Sequence, residues 1–95
     1  MIRIEWSARK NRLNILKHRI DFGEAKTVFD DPHHVTIDDP DHSMDERRYI
    51  TIGRSQRGRL MIMAHTFKDD KIRIITARKP TRSERENYEE GRIDA

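Results

Sequence analysis

Lys71-Ile72-Arg73-Ile74-Ile75-Thr76-Ala77-Arg78-Lys79-Pro80-Thr81-Arg82 is the stretch from which the fold can be read. Its β-branched residues make it the best strand candidate in the chain. Side chains alternate along a strand, which puts Ile72, Ile74 and Thr76 on one side and Arg73, Ile75 and Ala77 on the other. Pro80 has no N–H to donate and ends the ladder. The strand therefore delivers Arg78, Lys79 and Arg82 to the place where it stops. Cations grouped at the end of a rigid strand can hold a phosphate.

Upstream, Glu46–Ile52 and Arg59–Phe67 read as two more strands, with Gly53–Gly58 as the turn between them and Asp69-Asp70 as the turn into the stretch above. Three strands joined by short turns imply an antiparallel meander. Met1–Trp6 alternates as a short first strand. Ser7 caps a helix through about Lys17, with Leu13, Leu16 and Ile20 as its buried stripe and Ala8 and Ile15 beside it. Asp21-Phe22-Gly23-Glu24 opens a second helix, about 22–30, as a capping-box variant, with Phe22, Ala25, Val28 and Phe29 turned inward. His33–Asp38 is a further strand. Asp38–Asp45 is rich in loop formers and is expected to be mobile. After Pro80, Thr81 or Ser83 caps a last helix, Ser83-x-x-Glu86 having the capping-box spacing, and Gly91 ends it. The final four residues are expected to be loose. The order β-α-α-β-β-β-β-α defines one α+β domain over 1–95, an antiparallel sheet packed by helices.

Composition narrows the function. Charged residues make up 39% of the 95 and hydrophobic residues 34%, so the core is thin for the chain length. Net charge is +3, unevenly spread: residues 1–45 carry seven Lys/Arg against nine Asp/Glu, and residues 46–95 carry thirteen against eight. A basic half beside an acidic loop points to a polyanion-binding face. Cysteine is absent, which excludes disulfides and thiolate chemistry. No apolar run approaches a membrane span, and no secretory leader is evident, so the expected location is the cytoplasm. Glycine-rich phosphate loops and nucleophile elbows are absent. His33, His34, His42 and His65 do not fall at zinc spacings, so neither a metal site nor a cofactor is expected.

The residues that could carry chemistry are the cations Arg73, Arg78, Lys79, Arg82 and Arg85, with Lys17 and Arg47 as further contacts to a polyanion. Arg78 could brace a phosphate in its transition state, or be an exposed Arg that pairs with Glu84 or Glu86. His18 could move a proton near neutral pH, although a cation at the end of a helix is also what the helix dipole favours. Glu46 could be a general base or a cross-sheet ion-pair partner. Tyr88 could stack on a base, donate a proton, or pack its helix onto the sheet.

Several of these residues recur together. Glu5-Trp6, Asn14-x-x-Lys17-His18, Phe22-x-x-Ala25 and Val28-Phe29-Asp30-Asp31-Pro32 resemble the first half of BrnT-type toxins. Glu46-Arg47, Ile52-Gly53, Arg73-Ile74-Ile75-Thr76-Ala77-Arg78 and Glu84-Arg85-x-x-Tyr88 resemble the second half, in order and over nearly the whole chain. Three positions depart: Ser7 stands where Asp is common, Arg19 where Gly often follows Lys-His, and Thr76 where Ser is usual. The resemblance implies a RelE-like fold and a ribonuclease toxin that arrests translation. It also implies a BrnA-like antitoxin with a DNA-binding domain, which would bring the toxin to operator DNA only as a complex. Under that expectation the substrate's own 2′-hydroxyl attacks the phosphate without a metal ion. Glu46 or His18 removes the proton, Arg78 with Arg73 or Lys79 stabilises the phosphorane, and His18 or Tyr88 protonates the leaving oxygen. A non-catalytic nucleic-acid-binding or partner-binding module is the alternative.

Overall fold

A computed structural model describes residues 2–39, 41 and 46–91. The chain runs β1 (Arg3–Trp6), α1 (Ala8–His18), α2 (Phe22–Ala25) continued by a 3-10 turn (Lys26–Asp30), β2 (Val35–Asp38), β3 (Arg48–Arg54), β4 (Leu60–Lys68), β5 (Lys71–Arg78) and α3 (Arg82–Glu89). The five strands form one sheet in the order β1-β5-β4-β3-β2. The meander of β3, β4 and β5 and the pairing of β2 with β3 are antiparallel. The β1–β5 ladder is the exception: α1 and α2 carry the chain across the sheet, and the first strand lies parallel to the last. Asp69 and Asp70 both have positive φ, 54° and 59°, the conformation a two-residue hairpin turn demands. The loop expected over 38–45 and the loose tail after 91 fall largely outside the described residues.

One face of the sheet is closed. Ile20, Phe22, Ala25 and Val28 pack onto Met61, Met63, Ile74 and Ala77, with Trp6 and Phe29 at the margin. Gly53 lies inside β3 rather than in the turn. A Cβ there would sit 2.9 Å from Val28 Cγ1 and from His34 Cβ, so the absent side chain lets the 3-10 turn approach the strand. Deeper on this side, buried His65 accepts a place in a hydroxyl chain, Thr36–Thr51 at 2.7 Å and Thr51–His65 Nε2 at 2.7 Å. The opposite face is covered only at one end, where Ile52, Leu60 and Ile62 meet Val35, Ile50 and Tyr88.

Helix α1 is held differently from the apolar stripe expected of it. Leu13, Ile15 and Leu16 are exposed, and Asn14 is the one buried residue of the helix. Its amide donates to Ile20 O at 2.9 Å and to Ala77 O at 2.9 Å, and accepts from Ala77 N–H at 3.1 Å. One side chain thus stands in for a neighbouring strand along the part of β5 that β1 does not reach. Asn11 Oδ1 adds a bond from Phe22 N–H at 2.8 Å. Arg19 ends the helix in the left-handed region, at φ 59° and ψ 32°. A Cβ is unfavourable there, so Arg19→Gly is expected to raise stability by roughly 0.5–1 kcal/mol, measurable as an increased urea midpoint at constant m-value.

Of the two candidate caps for α3, Thr81 is the one used, and its box partner is Glu84 rather than the Ser83–Glu86 spacing. Asp21 caps α2 through a bond from Gly23 N–H at 2.6 Å. Glu24 does not complete that box, because its carboxylate turns inward. It accepts from Ser55 Oγ at 2.7 Å and from Arg59 Nε at 2.9 Å, with a second contact to Arg59 Nη2. The network ties the β3–β4 turn to α2. Arg59 holds the Glu24 carboxyl down at about 2, against the cost of burial. A depressed carboxyl stabilises the fold above its ordinary value, and the contribution is lost as pH falls towards 2.

Candidate nucleic-acid interface

The residues of interest lie on the open face of the sheet, and an irregularity in β5 places them there. Ala64 pairs with Thr76 while the next residue, His65, pairs with Ile74, so Ile75 has no partner across β4. This extra residue is a β-bulge, which reverses the alternation beyond it. Ala77 therefore joins Ile74 in the core rather than lying opposite it, and Thr76 turns outward with Arg78. Strict alternation would have put Arg73 and Arg78 on opposite sides. With the bulge, Arg73 pairs across from Thr66 and Arg78 from Ile62, both on the open face.

Arg78 is half-buried at the end of the strand. Its Nη1 and Nη2 donate to the two Glu84 oxygens at 2.8 and 3.0 Å. Glu84 also accepts from Thr81 N–H at 2.8 Å and completes the α3 cap. The paired guanidinium is the foremost reason that the Glu84 carboxyl lies at about 2. Around Arg78 is a depression of about 170 Å³ whose lining includes Ile50, Ile62, Ala64 and Thr76. His18, at the last turn of α1, lies close enough to feel the Arg78 charge. Burial first, then Lys17 and Arg78, lower its pKa, which favours a neutral imidazole at physiological pH.

A second depression of about 170 Å³ lies further along the same face, lined by Glu5, Glu46, Thr66, Lys68, Lys71 and Arg73 among others. Glu46 and Arg73 do come together here. Arg73 also faces Glu5, with Nη2 to Oε1 at 3.6 Å. Five residue steps separate Arg73 from Arg78, roughly 16 Å of backbone. The two guanidinium groups are therefore suited to successive phosphates of a strand rather than to one.

The cations expected in a single cluster divide. Lys79 and Arg85 leave Arg78 and line a hollow of about 240 Å³ with Arg54 and Arg59, with no carboxylate among its described lining residues. Arg82 points to solvent and pairs with Glu86 at 3.0 Å. Arg47 pairs with Asp38 at 3.1 Å and lies over the Tyr49 ring. Lys17 faces the outer groove of α1. Tyr88 donates to His33 O at 3.2 Å and packs against the small core under α3. The sequence offered Glu84 or Glu86 as a partner for Arg78, and Glu84 is the one that pairs; it did not reveal Arg54, the outward turn of Thr76 or the capping role of Glu84. The Thr81-x-x-Glu84 spacing was a visible signal for the last. Among the described residues no three His, Cys, Asp or Glu side chains converge as metal ligands, and no helix is long and apolar enough to cross a membrane.

An α+β domain with one sheet face closed by helices and the other open and lined with guanidinium groups has the form of a polyanion-binding protein. Residues 6–84 match the family described as the ribonuclease toxin BrnT of type II toxin–antitoxin systems, and this chain belongs to that family. Its fold is similar to the crystal structure of the Brucella abortus ribonuclease toxin BrnT, with a TM-score of 0.66 at 16% identity over 86% of this chain and 100% of that one. No curated protein matches the sequence.

Proposed function

We propose that this chain is a metal-independent endoribonuclease that halts translation when free of its antitoxin. Family membership supports the class of activity, and the bulge that aligns Arg73 with Arg78 supports the path of the RNA. A strand laid along the open face meets Lys71, Arg73 and Glu46 first, then Arg78, then the hollow of Lys79, Arg85 and Arg54. Arg78 takes the scissile phosphate. The 2′-hydroxyl of the preceding ribose attacks phosphorus, the bond to the 5′-oxygen breaks, and a 2′,3′-cyclic phosphate and a 5′-hydroxyl result. Neutral His18, on the side of β5 next to Arg78, accepts the 2′-hydroxyl proton and can return one to the leaving oxygen. Glu46 and Arg73 position the neighbouring nucleotide, while Lys17, Arg47 and Arg82 supply outer charge. Tyr88 keeps a structural role.

Binding of a phosphate requires Arg78 to exchange the Glu84 carboxylate for substrate oxygens, both of which the planar guanidinium can hold bidentately. The same pair favours a second reading, in which Arg78 serves only to anchor α3 and the face binds nucleic acid without cutting it. In the first reading the partner is a BrnA-like antitoxin carrying a DNA-binding domain, operator DNA is reached only through the complex, and the site of action is the cytoplasm. The deciding experiment incubates purified protein with RNA in EDTA and analyses the ends. Cyclic phosphate termini are expected. Intact RNA in the presence of folded protein, bound in a salt-dependent way, would favour the second reading.

A further inference from the structure

We infer that the groove between α1 and the outer edge of β5 is the docking site for an acidic segment of the antitoxin with apolar anchors; this rests on the toxin reading above. The groove has a volume of about 260 Å³, with Leu13 and Ile75 as its apolar part and Lys10, Lys17, His18 and Thr76 around it. It exists because Asn14 rather than leucine anchors the helix. Leu13 is 51% exposed and Leu16 is 74% exposed, leaving an apolar strip facing outward. Such a strip in a small domain with a thin core marks a contact surface.

Charge identifies the occupant. From Ser7 to Ile20 the chain carries Arg9, Lys10, Arg12, Lys17 and Arg19 and no Asp or Glu. An apolar floor flanked by Lys10 and Lys17, with no carboxylate among the described lining residues, fits apolar anchors flanked by carboxylates, the charges steering encounter and setting register. RNA is a poorer fit, because the groove offers no Phe, Tyr or Trp ring among its described lining residues and its floor is the aliphatic pair Leu13 and Ile75. Position gives the contact a consequence. Thr76 borders both this groove and the Arg78 depression. A segment seated against His18 and Thr76 therefore lies across the approach to Arg78, so docking and inhibition become one event.

The test uses the full-length toxin and the antitoxin encoded beside it. Leu13→Glu is expected to weaken antitoxin binding about tenfold or more, and Lys10→Glu to weaken it and flatten its salt dependence. Both variants should cleave RNA at the wild-type rate. Lys10 is exposed, so its charge reversal stays informative even where Leu13→Glu impairs folding. Hydrogen exchange in the wild-type complex should show new protection over residues 8–18. Unchanged affinity in Lys10→Glu and in a folded Leu13→Glu overturns the assignment while leaving the nuclease reading intact. So does a parallel loss of RNA binding, which would make the groove an RNA surface, or a wild-type homodimer that Leu13→Glu dissociates. A wild-type toxin that neither cuts RNA nor binds that antitoxin overturns both.

Discussion

Arg78→Ala is expected to lower RNA cleavage by about 100-fold or more, the loss typical when a donor to developing negative charge is removed. Some stability is expected to go with it, because Arg78 holds both oxygens of the carboxylate that caps α3. That pair is partly exposed, which limits its worth to about 1 kcal/mol. The separating variant is Glu84→Gln. It loosens the cap in the same way but leaves the guanidinium free for substrate. If Arg78 acts on phosphate, Glu84→Gln cleaves at or above the wild-type rate while melting lower. If Arg78 merely anchors α3, the two variants lose activity together, in proportion to their loss of stability. Arg78→Lys adds a third measurement. It keeps the charge but not the planar fork, and recovery to less than a tenth of wild-type activity would show that bidentate geometry matters, since a point charge alone would restore most of it. Single-turnover rates at saturating RNA are the appropriate readout, because they report chemistry apart from binding.

Asn14→Ala is expected to destabilise the fold by about 3 kcal/mol, the largest effect on stability foreseen for one polar side chain in this protein. The estimate reflects what would be left behind. Three bonds of 2.9–3.1 Å disappear, and the N–H and C=O of buried Ala77 lose their partners together. Asn14→Leu should fare no better despite its greater hydrophobicity, since an apolar side chain cannot satisfy those groups. Chemical denaturation of wild type and both variants checks this. A loss under 1 kcal/mol in either would mean that water replaces the amide at little cost, and that α1 is held chiefly by its flanks.

Much of the architecture is legible in the residues themselves. The β-branched run of 71–78, the turn at Asp69-Asp70, the caps at Ser7 and Asp21 and the element order all follow from local preferences acting within a few residues. So does the placing of the basic half of the chain on the sheet that carries the site. Within α1, local rules also tell which residues share a face. They do not tell which face turns inward. In α1 the apolar Leu13 and Leu16 and the polar Asn11 and Asn14 compete for that position, and the amides win because the uncovered edge of β5 presents backbone groups that only an amide can satisfy.

The bulge at Ile75 belongs to the same category. Nothing within β5 announces it, since it arises from the register that β5 adopts against β4. Yet it decides that Ala77 is core and that Arg73 and Arg78 look the same way. The pairing of Arg78 with Glu84, and the departure of Lys79 and Arg85 to a separate hollow, likewise depend on where α3 comes to rest. Composition and spacing thus determined the elements, their order and the stock of cations. Tertiary pairing decided which cations share a surface, because register and packing are settled between segments distant in the chain, where backbone groups must find partners whatever the local pattern prefers.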